Sequence, residues 1–146
     1  MIGISKELRN CSPEFIQIDL VPSYPEYKLH ISMSLDLVEV RGNGVLDACG
    51  LVSKAENVVL EFRTKVQERI EWHISKAKYY AKYKTRLIAD VASMVKRGET
   101  VPTSFRQNID AADKLEHEYS SSAFNLGMAL VCDEKYLNML VNGEVF

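Results

Sequence analysis

Trp72, Lys76, Tyr79, Tyr83 and Arg86 recur at i, i+4, i+7, i+11 and i+14, a spacing that places them on one ridge of a helix. Between Trp72 and Ala89 the chain carries five basic residues, Lys76, Lys78, Lys82, Lys84 and Arg86, and no acidic one. Aromatic faces stack on bases while lysine and arginine neutralise phosphates, so this pattern suits single-stranded DNA or RNA. Tryptophan, tyrosine and arginine are also enriched where proteins meet, so the same ridge suits a contact with another subunit or partner. Either reading names Trp72, Lys76, Lys78, Tyr79, Lys82, Tyr83 and Arg86 as the site. The net charge of −2 for the whole chain tilts the balance towards protein contact.

The other chemistry-bearing groups point to no enzyme. Asp110, Asp113 and His117 stand at i, i+3 and i+7, a spacing that offers a divalent metal three ligands. Solvated charges on an acidic helix give the same pattern, so no metal is expected. His73 falls at the edge of an apolar stripe, where a histidine is read as a core or interface residue, and neither serine nor cysteine pairs with it as a nucleophile. His30 belongs to the polar face of a strand. Gly42-Asn43-Gly44 lacks the further glycine or lysine of a phosphate loop and reads as a hairpin turn. Cys11, Cys49 and Cys132 are odd in number and widely spaced, which fits reduced thiols better than a disulfide framework or a zinc site. No catalytic constellation and no cofactor are expected.

These residues need elements to hold them. The 146 residues, 47% hydrophobic and 26% charged, match one domain with a real core. The first fifteen residues lack a signal-peptide core, and the longest apolar stretch, Ala123 to Cys132, is too short to span a bilayer. A cytoplasmic protein without membrane contact is expected.

From Tyr27 to Leu37 apolar and polar residues alternate without fault, the period of a half-buried strand. Tyr27, Leu29, Ile31, Met33, Leu35 and Leu37 form one face; Lys28, His30, Ser32, Ser34 and Asp36 form the other. Phe15 to Val21 repeats the pattern, with Pro22 and Pro25 marking the intervening turn. Asn43-Gly44 then predicts a tight hairpin into a third strand within Val45 to Val52.

Ser53-Lys54-Ala55-Glu56 has the form of a capping box. No proline or glycine follows until Gly98, while Val59, Phe62, Val66, Ile70, Ile74, Ala77, Ala81, Ile88, Val91 and Val95 recur at spacings of mostly three and four, predicting one long helix over 54–97. After a link at 98–103, Ser104 with Gln107 suggests a second capping box and a helix over 104–141, ended by Asn142-Gly143. Two such helices joined by a short link must fold back on each other. With the apex near residue 100, Asp110, Asp113, Glu116 and Glu118 should face residues 83–91 and offset Lys84 and Arg86, leaving Lys76, Lys78 and Lys82 unopposed.

The predicted architecture is therefore α+β: a three-stranded antiparallel meander over 1–53, then a long antiparallel two-helix hairpin, in one domain over 1–146. Residues 1–53 carry a balance of −3, 54–97 of +6 and 98–146 of −5. Open sheet edges and a second sticky ridge predict a self-associating, non-enzymatic interaction protein, a homo-oligomer acting as adaptor, scaffold or structural subunit. Another protein is a possible partner. The alternative is an oligomeric accessory factor that binds single-stranded nucleic acid on the ridge.

Overall fold

A computed structural model of the chain describes residues 13–23, 26–46, 52–53 and 56–143. Strands β1 (Ile16–Ser23), β2 (Glu26–Leu35) and β3 (Val38–Leu46) form the antiparallel meander, with the two-residue β4 (Val52–Ser53) beside β3. Helices α1 (Glu56–Lys96), α2 (Thr103–Cys132) and α3 (Glu134–Asn142) follow, so the α+β class and the helical hairpin are as the sequence indicates. The chain divides into two compact units, Met1–Glu68 with Leu126–Phe146, and Arg69–Asn125.

The first unit contains the sheet. Ile16, Ile18 and Leu20 pair with Met33, Ile31 and Leu29 across β1 and β2, and Ile31 and Met33 pair with Gly42 and Val40 across β2 and β3. Because side chains alternate along a strand, these residues share one face. Leu29, Ile31 and Met33 are fully buried, as are Leu46, Val59, Phe62, Val66, Leu137 and Leu140 from the same unit. The rings of Phe15 and Phe62 stack with centroids 5.4 Å apart. Lys28, His30 and Ser34 are exposed on the other face.

The turn lies elsewhere than predicted. Asp36 and Leu37 connect β2 to β3, both with positive φ, 46° and 66°, the conformation a two-residue type I′ hairpin requires. Leu37 is therefore not part of the buried face and is 89% exposed. Gly42-Asn43-Gly44 sits inside β3 instead. A Cβ on Gly42 would overlap Val58 Cγ2 and lie 3.2 Å from its Cβ and 3.3 Å from its Cγ1. The glycine is there because α1 crosses the sheet at that point, not because the chain reverses.

Helix ends follow local chemistry. Gly98, at φ 73°, closes α1: its N–H donates to Val95 O and that of Glu99 to Met94 O, the bond pair of a Schellman motif. Lys54 and Ala55, the middle of the first capping box, lie outside the described residues, as do Cys11, Cys49 and Pro25. Ser104 falls inside the first turn of α2, which begins at Thr103. The second helix does not run unbroken to 141. It is interrupted at Asp133 (φ −100°, ψ 6°), after which α3 buries Leu137 and Leu140 and ends at Gly143 in the left-handed region, φ 72°. Aspartate is a poor interior helix residue, so a break costs least there. No helix among the described residues is long and apolar enough to cross a membrane.

Candidate functional site

The second unit, Arg69–Asn125, holds most of the sequence-predicted site residues, on parts of α1 and α2 that pack antiparallel. The apolar arc of α1 is wider than one partner helix can cover. Ile70, His73, Ala77 and Leu87 are buried, together with Ala112 and Ala123 of α2. Ile74, Ile88 and Val95, expected in the seam, are exposed instead.

On one flank of the seam lies the basic-aromatic ridge. Its spacing extends back to Arg69, which the sequence pattern of aromatics did not include: its guanidinium carbon stands 4.2 Å from the centroid of the Trp72 ring. Lys76 Nζ is 5.6 Å from the same ring, and the Arg86 guanidinium 5.6 Å from the ring of Tyr83. Tyr119 of α2 reaches across, edge-on to Trp72 at 5.7 Å and stacked on Tyr80 at 5.8 Å. The ridge is thus not remote from the second helix. Trp72 remains 40% and Tyr79 62% exposed. His73 is buried beside the rings of Trp72 and Tyr119, the core position expected of it.

Opposition across the hairpin works for one cation and fails for another. Lys84 Nζ donates to Asp113 Oδ1 at 2.8 Å and to Glu116 Oε2 at 2.6 Å, as predicted. Arg86 has no such acid and lies over Tyr83, because its position on the helix faces away from α2. Lys76, Lys78, Lys82 and Arg86 form no ion pair among the described residues. The hydrogen bond to Asp113, then that to Glu116, holds the Lys84 ammonium above its usual range, and the bond from Lys84 draws the Asp113 carboxyl below its own.

A pH signature follows from those directions. The lowered Asp113 contributes stability present above its unfolded value and lost as pH falls through its folded one; the raised Lys84 contributes below its unfolded value until pH rises through its folded one. Lys84→Met should therefore lower the thermal midpoint at neutral pH, and the gap from wild type should narrow as pH falls below the ordinary aspartate range and Asp113 takes up its proton. Parallel midpoint curves would show that this half-exposed pair contributes nothing.

Asp110, Asp113 and His117 are not gathered into a group of three potential metal ligands. Asp113 is committed to Lys84, His117 Nδ1 lies 2.8 Å from the Asp113 carbonyl oxygen, and no cluster of three potential ligands occurs among the described residues. On the open sheet face, in the other unit, His30 Nδ1 lies 3.0 Å from Asn43 Oδ1. Cys132 is a free, exposed thiol.

Comparison with known proteins finds no matching family model, curated protein or solved structure.

The flank opposite the ridge is apolar. Ile70, Ile74, Ala77, Ala81, Ala123 and Phe124 line a groove between the helices, with Lys78 on one rim and Glu116 on the other. Phe124 is 66% exposed. Sequence reasoning missed this groove because it assigned every apolar residue of α1 to a single seam.

Proposed function

We propose that this chain is a non-enzymatic, self-associating interaction protein, a scaffold, adaptor or structural subunit whose hairpin packs against a second copy. One observation carries the reading. Unit Arg69–Asn125 buries two large aliphatic side chains, Ile70 and Leu87, yet exposes Ile74, Ile88, Val95 and Phe124. Burying a side chain of this class stabilises by about 1.5–3 kcal/mol, so covering what remains exposed of these four side chains would add driving force that the unit alone does not realise. Ile74 and Phe124 line one groove, and exposed apolar surface gathered in a groove marks an interaction site.

A second copy fits this surface for two reasons. Ile74, Ala81, Ile88 and Val95 recur every seven residues, the period that lets one helix follow another. Lys78 and Glu116 stand on opposite rims of one groove, so a two-fold contact brings the lysine of each copy to the glutamate of the other. Glu116 keeps an oxygen for this after accepting from Lys84. The cytoplasm suits such a protein, since an exposed Cys132 stays reduced there.

Light scattering should give a dimer or larger assembly for the wild type. Phe124→Glu, at an exposed position, should yield a monomer with unchanged helicity by circular dichroism. A wild type that remains monomeric at high micromolar concentration would sink the proposal.

A further inference from the structure

The ridge on the other flank of α1 is a separate surface, and from it we infer that the protein binds single-stranded nucleic acid. Arg69, Trp72, Lys76, Tyr79, Tyr83 and Arg86 follow one another at steps of three, four, three, four and three residues, so three rings and three cations share one line of the helix. From Arg69 to Arg86 that line is about 26 Å long at ~1.5 Å per residue, room for several nucleotides. Lys82 extends the positive surface round the back of the helix, short of Lys78 at the groove.

Three features separate this ridge from an ordinary solvated face. The unit that bears it carries ten basic residues and seven acidic ones, a balance of +3, while the rest of the chain has eight and thirteen, a balance of −5. The net acidity of the protein therefore comes from outside the unit that bears the ridge. Next, the opposing acids Asp113 and Glu116 pair with Lys84, so Lys76, Lys82 and Arg86, beside the rings, stay available to phosphates. Finally, Trp72 and Tyr79 are held in place by neighbouring rings: Tyr119 meets the edge of Trp72, and Tyr80 meets Tyr79 edge-on at 5.1 Å. Rings fixed in this way lose little freedom when a base stacks on them, and stacking needs an unpaired base. An acidic peptide would use the cations and leave the rings idle.

The protein supplies its own probe, because Trp72 is its single tryptophan. Full-length protein titrated with oligo-dT or oligo-U should show saturable quenching of that fluorescence. Binding should weaken with salt, with a slope of log K against log salt near −2 if Lys76, Lys82 and Arg86 each neutralise one phosphate, at ~0.7 per phosphate for single strands. Lys76→Ala or Lys82→Ala should each reduce the slope by about 0.7, whereas Tyr79→Ala should weaken binding about five- to one-hundredfold and leave the slope unchanged. Phe124→Glu should retain the quenching, since the ridge does not use the apolar groove; this separates failure here from failure of self-association. No quenching at low salt, equal quenching by polyglutamate, or equally tight binding of a duplex would each overturn the inference.

Discussion

Met33→Asp should leave the sheet unit unfolded or nearly so. Met33 lies on an inner strand, between Ile16 of β1 and Val40 of β3, and its relative exposure is 0%. Truncating a buried methionine costs about 2–5 kcal/mol through lost transfer energy and the cavity left behind. A carboxylate there adds the cost of an unpaired charge between Ile16 and Val40, or of the proton it takes up to avoid that charge. Since a whole domain is typically stable by about 5–15 kcal/mol, the sum consumes most of it. The matched control is Leu37→Asp, two steps further along the same alternation but in the exposed turn, which should change stability by about 0.5 kcal/mol or less. Urea denaturation followed by circular dichroism distinguishes them. A Met33→Asp midpoint close to wild type would mean that the register of β2 is wrong.

The second large effect is expected at Gly42, where adding one methyl group should cost about 1–3 kcal/mol by overpacking. Rotating Val58 does not make room, because its Cβ and Cγ1 stand at 3.2 and 3.3 Å from the added carbon besides the overlap at Cγ2. Either α1 lifts from β3 or the strand bends away, and both expose core. Val58→Ala removes the colliding methyl groups at the price of a small cavity. Gly42→Ala combined with Val58→Ala should therefore be more stable than the sum of the two single losses predicts. Strict additivity in this double-mutant cycle would show that the helix does not approach the sheet at Gly42.

The same glycine shows what the sequence makes legible. Strict alternation from Tyr27 onward placed Leu29, Ile31 and Met33 on the buried face, and the long interval without breakers before Gly98 placed α1 nearly to the residue. Both are local signals, carried by period and punctuation. The position of the hairpin turn was not legible, because Asn43-Gly44 is a strong turn signal yet lies inside β3, next to a Gly42 that answers to a helix arriving from later in the chain. Asp36-Leu37 has no turn signature, since leucine is ill suited to positive φ. The ridge residues could be grouped from spacing, yet Arg69 and Tyr119 were missed: one precedes the aromatic run and the other comes from the facing helix. The apolar groove needed the three-dimensional packing, because only there does it emerge that α2 covers Ile70 and Leu87 and leaves Ile74 and Ile88 outside.

The turn at Asp36-Leu37 bears on the order in which the sheet assembles. Holding L-residues other than glycine in the left-handed region costs on the order of 1–2 kcal/mol each, so an isolated β2–β3 segment gains nothing by bending there. An Asn-Gly turn closes a hairpin early and lets the strands zip outward from it. Here the drive must come from the strands themselves, from Ile31 and Met33 opposite Gly42 and Val40, and from α1 settling over them. The loop is thus held in its conformation by the pairing on either side of it rather than by its own residues.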